Sequence, residues 1–315
     1  MTEVISWLLD SSVPSIRYLT LRRLLGYDEA DKEVTAARSA MQMSGPIPAI
    51  LDKQTLSGQW EGSTHYYSPK YVSTHWSMVL LLELAADPND ERVQRGVEHM
   101  LEATEQNHML KDEYDRSVPS PAQFGFVCFW GNVLRYAAEF NYATDSRLTP
   151  IIEYTVRNLD AGGCQCIHND YLPCAWGAVR SLWGLAAIPN RSETVEGVIK
   201  KTLDFLVGSG NQLVGGHYPS RGTPHKMWND LNFPLFYQVD VLFTLRVLAD
   251  LKALHLPGAQ PALEWLVAKR EPSGHWHGSS PFKARTWKRL GNAEEIDRWV
   301  TLQAMHVLQQ AGIDS

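Results

Sequence analysis

The chain has 315 residues, 44% hydrophobic and 20% charged, with a net charge of −6 at pH 7. A chain of that length buries about three quarters of its unfolded surface, and this composition excludes a disordered polymer. The charge is mild and spread out, with no basic block, which excludes a phosphate backbone as partner. Residues 1–9 carry no basic leader, and the longest apolar stretch, around residues 78–86, contains Glu83. That run is far short of the ~20 residues a membrane span requires, so a soluble, cytoplasmic protein without membrane insertion is expected. Four cysteines in so large a chain read as thiols or metal ligands rather than as a disulfide framework.

In chain order, apolar segments recur at residues 16–25, 76–86, 128–138, 174–184, 239–251 and 299–308. Two are visibly alike: Cys128-Phe-Trp-Gly-Asn-Val-Leu-Arg-Tyr-Ala-Ala is echoed by Cys174-Ala-Trp-Gly-Ala-Val-Arg-Ser-Leu-Trp-Gly, 46 residues on. Each is apolar on nearly every side and too long for a strand, so each predicts a buried helix. Between them, residues 92–103, 148–159, 193–207 and 261–269 place apolar residues at three and four spacing, the pattern of helices with one wet face. A wet helix followed by a dry one, six times over, predicts an all-α fold: an (α/α)6 toroid of six inner and six outer helices. No linker splits the chain, so one domain over residues 1–315 is expected.

Several wet helices are followed by glycine turns: Ser57-Gly58-Gln59-Trp60, Gly162-Gly163-Cys164 and Ser273-Gly274-His275-Trp276. Glycine at such a place predicts a left-handed C′ cap, with the Trp tucked over the helix end. The recurring Gly-x-Trp turn resembles the repeat of the prenyltransferase and squalene oxidase repeat family, whose members include squalene-hopene cyclases, protein prenyltransferase β subunits and short bacterial squalene cyclase-like proteins. The resemblance covers most of the chain and implies an α/α toroid and a hydrophobic, terpenoid-like ligand. The chain contains no Asp-x-Asp-Asp acid, no Asp-Asp-x-x-Asp and no Asp-x-Cys. The family's proton donor, diphosphate site and Zn²⁺ site are therefore not carried over by motif.

Three groups of residues carry candidate chemistry. The densest is Cys164-Gln165-Cys166-Ile167-His168, followed by Cys174, with Cys128 at the repeat-equivalent position. Zn²⁺ takes Cys and His ligands, so Cys164, Cys166, His168 and Cys174 form a candidate metal set; the alternative is buried packing or an isolated reactive thiol. The second group lies in long loops, which commonly line or cover a site: His65, Tyr66, Tyr67 and Tyr71 ahead of His75-Trp76, then His217, Trp228 and Trp276. His75 and Tyr67 stand closest to an inner helix and are the preferred acid–base pair, the alternative being loop residues that bond their own backbone. The third is Asp240, flanked by Tyr237 in an apolar segment. It reads either as a desolvated proton donor or as a structural partner of Arg246 or a loop lysine. Trp130, Trp176, Trp228, Trp276 and Tyr237 are the expected aromatic lining, with plain core packing as the alternative.

The expected function is acid–base catalysis of a lyase, isomerase or cyclase type, on a hydrophobic terpenoid or aromatic molecule in an aromatic-lined cavity. No cofactor is required by that reading. Two alternatives stand beside it: a Zn²⁺-dependent hydrolase or transferase using the cysteine cluster, and a non-catalytic carrier of an apolar ligand.

Overall fold

The computed structural model describes residues 2–63, 65–105, 126–160, 164–215, 218–219 and 224–313. Among them every regular element is a helix, and the only strand-like pairings are isolated bridges. Contacts divide the chain into two compact units. Unit 1 comprises Met1–Gly96, Met227–Phe236 and Leu263–Ser315; unit 2 comprises Val97–Lys226 and Tyr237–Ala262.

Unit 1 begins with α1 (Thr2–Leu9) and α2 (Pro14–Leu19), the latter continuing as a π-helical turn over Thr20–Leu24. Then come α3 (Lys32–Met43), α4 (Pro46–Leu51) and α5 (Thr74–Glu83), and the unit ends in α13 (Ala293–Gln310). The predicted contrast between wet and dry helices is physical. Nine of the ten residues of α5 are buried, whereas α3 buries only Val34, Ala37 and Met41 on one stripe. Helix α13 packs on α2 and its π-helical turn, so the two ends of the sequence share one core.

Two helix ends in unit 1 are closed by the same device. Trp60 Nε1 donates to Ile50 O at 2.8 Å in the last turn of α4, and Trp276 Nε1 donates to Leu266 O at 2.7 Å in α12 (Gln260–Ala268). In both the indole is a second donor to a carbonyl ten residues upstream in the last turn, which also accepts a backbone N–H three residues on, from Lys53 at 3.1 Å and Lys269 at 3.3 Å. The glycine differs from expectation. Gly58 and Gly274 are not C′ caps but sit several residues past the helix end, at φ +81° and +87°. Each donates its N–H three residues back, to Thr55 O and Glu271 O, in a turn closed by Thr55 N to Gln59 O and Glu271 N to His275 O. The Trp, not the Gly, terminates the helix.

Unit 2 is built on α7 (Val127–Ala137), α8 (Thr149–Asp160), α9 (Ala175–Ala186), α10 (Glu193–Val207) and α11 (Val241–Asp250). Helix α6 (Glu91–Glu105) leads into it and buries Val97, Met100, Leu101 and Thr104 on one face. The two sequence-alike helices, α7 and α9, form the most intimate pair. A Cβ at Gly131 would stand 2.2 Å from Arg180 O, and one at Gly184 2.4 Å from Gly131 O, so glycine on both helices is what lets the backbones touch. Polar starts are capped as the chemistry requires: Ser192 Oγ accepts from Val195 N, Asp240 Oδ1 from Phe243 N, and Cys174 Sγ from Gly177 N.

Candidate functional site

The aromatic cluster of unit 1 grows out of the loop between α4 and α5. The backbone of that loop is tied to the start of α5: Tyr66 O accepts His75 N at 2.9 Å and Ser73 Oγ at 3.1 Å, and Tyr67 O accepts Trp76 Nε1 at 2.8 Å. These ties bring the loop rings down onto the helix. The His75 imidazole, 0% exposed, lies parallel to the Tyr67 ring with centroids 6.0 Å apart and edge-on to Trp76 at 4.6 Å. Tyr67 in turn meets Trp76 at 4.7 Å, and the Lys70 ammonium lies 5.1 Å from the Tyr67 centroid, within cation–π range. Below, Tyr71 stacks on Phe236 at 4.6 Å and touches Phe282 at the same distance, while the Arg285 guanidinium stands 5.0 Å from its ring. The cluster therefore runs from an exposed His65, through half-buried Tyr66 and Tyr67, to buried Tyr71, His75 and Trp76.

Phe282 and Arg285 were not among the residues expected from sequence. They reach the cluster because Tyr71 N donates to Arg285 O at 3.3 Å and Thr286 Oγ1 to Tyr71 O at 3.2 Å, joining segments more than 200 residues apart. No local pattern announces such a pairing. Trp287, whose Nε1 donates to Ser77 Oγ at 2.9 Å on α5, belongs to the same bridge. Trp276 and Trp228 are buried in unit 1 as well, the first as the helix-closing indole described above. The surface clefts resolved around Arg270, one bordered by Val4 and Gly274 and the other by Leu231 and His277, are lined by none of the residues of the aromatic cluster.

The candidate residues of unit 2 fall into a thiol group and a group around Arg180. Residues 164–174 make a tight loop whose arms are joined by Cys174 N to Cys164 O at 3.0 Å and Cys166 N to Leu172 O at 3.3 Å. Cys164 is buried, at φ +59°, with its sulfur lodged over Gly177, where a Cβ would stand 2.4 Å away. Cys128, Cys166 and Cys174 are partly exposed. The Cys174 thiol donates to the Cys166 sulfur, which also accepts the N–H groups of His168 and Asn169. These bonds overcome burial and bring Cys166 down to about 6. Burial, with the charge of Cys166 behind it, pushes Cys128 up to about 11, against the pull of Arg180. The hydrogen bond to Cys166, then burial, drive Cys174 well upward, and burial does the same to Cys164.

His168 is exposed and turns its ring edge-on to Phe126 at 5.6 Å. Among the described residues no group of three or more His, Cys, Asp or Glu side chains is disposed to hold a metal ion, so Cys164, Cys166, His168 and Cys174 do not stand as a ready ligand cage.

Arg180, on α9, is 0% exposed; its Nη2 donates to Gln238 O at 2.7 Å and Nη1 to Asn132 Oδ1 at 3.4 Å, with the Phe243 ring 3.9 Å away. Asp240 lies two residues beyond Gln238. The sequence pattern places it within a helix; instead α11 starts at Val241 and Asp240 is the residue before it, its Oδ1 accepting Phe243 N at 2.7 Å and its carbonyl accepting Thr244 Oγ1 at 2.9 Å. A run of apolar residues on both sides hid that boundary. Trp176 meets His225 at 5.2 Å and Tyr237 at 6.2 Å, while Trp130 is buried against Phe129 at 4.7 Å and Tyr154 at 6.2 Å. His217 lies outside the described residues.

Of the three residues expected to act in catalysis, His75 and Tyr67 are in contact within unit 1, and Asp240 belongs to unit 2 as a helix cap. The sequence matches no family model and no curated protein. The resemblance noted above rests on the Gly-x-Trp turns and the alternation of helices.

Proposed function

We propose that the protein is an enzyme acting on a hydrophobic small molecule, terpenoid or aromatic, by proton transfer of the isomerase or lyase kind, with His75 and Tyr67 as the acid–base pair. The observation that carries this reading is the His75 imidazole, fully buried and facing the Tyr67 ring and the edge of Trp76, with Tyr71, Phe236 and Phe282 continuing the cluster beyond Trp76. An imidazole changes charge near neutral pH, and a wall of rings offers both apolar contact to a flat or branched hydrocarbon and quadrupole stabilisation to a developing cation. The gradient from exposed His65 to buried His75 supplies a direction of entry, and a substrate reaches His75 by displacing the half-buried Tyr66 and Tyr67. Asp240, engaged as a cap, is left out of the proton-transfer pair.

The fold that goes with this reading is the (α/α)6 toroid, supported by the alternation of one-faced and buried helices among the described residues and by the packing of α13 on α2 within unit 1.

The test is incubation of the purified chain with a panel of terpenoids and apolar aromatics, read by calorimetric binding and by mass-spectrometric detection of products. His75→Gln, which keeps a polar side chain of similar size, is expected to lower turnover by about 10²-fold or more, and Tyr67→Phe to lower it while keeping the ring. A panel that binds without conversion establishes a carrier instead of an enzyme. Unchanged turnover in both variants removes His75 and Tyr67 from the chemistry.

A further inference from the structure

The loop at the start of α9 has no part in that acid–base reaction, yet it is built around sulfur. Gln165 faces Pro173 in an antiparallel bridge, flanked by the hydrogen bonds Cys174 N to Cys164 O and Cys166 N to Leu172 O. Alternation along such a ladder turns Cys164, Cys166 and Cys174 to the same face. The tip is fixed by Asn169 N and Tyr171 N donating to Cys166 O at 2.9 and 3.0 Å, and by Asn169 Nδ2 donating to Pro173 O at 2.9 Å.

Within this frame the sulfurs are not equivalent. Cys164 is enclosed and pressed over Gly177, whereas Cys166 and Cys174 are partly exposed on the same face of the loop. The Cys174 thiol and the backbone N–H groups of His168 and Asn169 lie near the Cys166 sulfur and lower its pKa, so it is the one prepared to carry negative charge.

We propose that Cys166 and Cys174 form a thiol–disulfide exchange pair, with Cys166 as nucleophile and Cys174 as resolving thiol, acting on low-molecular-weight disulfides. In the first step the Cys166 sulfur attacks one sulfur of R–S–S–R; the external S–S bond breaks and RS⁻ leaves with the electron pair, forming a mixed disulfide on Cys166. In the second, Cys174 loses its proton to solvent and its sulfur attacks the Cys166 sulfur. The bond between Cys166 and SR breaks, and the second RS⁻ leaves. Two protein thiols are oxidised to one disulfide, one external disulfide is reduced to two thiols, and the protons released by the protein end on the two RSH products. Both sulfurs stand on one face of the same loop, so the second step is intramolecular. The proposal is independent of the activity assigned to the aromatic cluster.

The test uses the full chain and oxidised glutathione as the probe. The expected result is loss of two alkylatable thiols, a Cys166–Cys174 link in peptide mapping, and full reversal by dithiothreitol. Cys174→Ser is expected to stop at a glutathione adduct on Cys166, and Cys166→Ser to keep all of its remaining thiols. Because Cys174 also caps α9, mapping of the unsubstituted chain decides the matter, with circular dichroism confirming that the variants keep their helices. A glutathione adduct that persists on Cys166 in the unsubstituted chain, a link mapped to Cys164 or Cys128, or no thiol consumed at all would each overturn the proposal.

Discussion

Four cysteines in one unit have been given opposite electrostatic surroundings by a few donors. Cys166, held down to about 6 first by the Cys174 thiol and then by two backbone N–H groups, is thiolate at neutral pH; Cys128, pushed up to about 11 mainly by burial, is thiol. Only the thiolate alkylates, so at pH 7 iodoacetamide is expected to modify Cys166 at least about tenfold faster than Cys128. The sign follows from the lowered value: the Cys166 rate holds above neutrality and falls as pH drops through about 6, where its sulfur takes up a proton. Site-resolved mass spectrometry across that interval checks it, and equal rates at pH 7 would remove the nucleophile. Asp240 shows the other side of residue-scale reading. A carboxyl in an apolar stretch invites a catalytic role, yet its Oδ1 is spent on Phe243 N at 2.7 Å. Asp240→Ala is expected to cost about 0.5–2 kcal/mol in urea melts, and Asp240→Asn much less, because Asn caps almost as well.

At the scale of elements, two devices do the joining. The indoles of Trp60 and Trp276 each satisfy a buried carbonyl at a helix end, at 2.8 and 2.7 Å. Trp276→Phe keeps most of the apolar bulk but leaves Leu266 O with only the longer bond from Lys269 N, for a predicted loss of roughly 0.5–1.5 kcal/mol measured by chemical denaturation. A loss no larger than that of an exposed substitution would mean that water replaces the indole. Helices α7 and α9 are joined instead by absence of side chain, since any Cβ at Gly131 collides with the backbone at Arg180 and Ser181. Helix propensity alone favours Gly131→Ala by about 1 kcal/mol. Overpacking against backbone that has no rotamer to adjust costs about 1–3 kcal/mol or more and sets the sign, so the variant is expected to melt earlier. A variant that melts later would show that α7 and α9 are free to slide apart.

Over the chain as a whole, the beginning and the end of the sequence are held together within unit 1 by a buried acidic knot. Glu295 is 3% exposed and accepts from Ser11 Oγ, Ser12 N and Ser12 Oγ, with Arg298 Nη1 at 2.7 Å and Trp7 Nε1 on the neighbouring Glu294. Burial works to raise the Glu295 carboxyl, but the serine and arginine bonds outweigh it and hold the group below its ordinary range. A lowered carboxylate stabilises the fold above its unfolded value and loses that contribution as pH falls through its folded value. The junction of the chain ends is thus expected to loosen in acid, seen as faster hydrogen exchange in α1 and α13 once the pH is taken below the ordinary glutamate range. Glu295→Gln should remove most of that pH dependence; if it leaves the acid response unchanged, other carboxylates govern it.

The helical class and the buried or one-faced character of individual segments were legible in the sequence, because periodicity of 3.6 and apolar runs are local properties of the chain, whereas element ends were not, as the Gly58 and Gly274 turns and the start of α11 show. The segments at 193–207 and 76–86 became α10 and α5 for that reason. Which residues meet was not legible, since it depends on loop closure over long separations. Nothing near Tyr71 announces Phe282 and Arg285, which arrive through backbone hydrogen bonds from the far end of the chain. Likewise the clustered cysteines look alike as letters, and only the tertiary arrangement sorts them. One is sealed against Gly177, one is lowered by its neighbours in the loop while another is raised, and a fourth is raised by burial and then by the charge of Cys166. Composition and pattern determined the helices; desolvation and a handful of directed N–H and S–H groups, placed by packing, decided which side chains are chemically distinct.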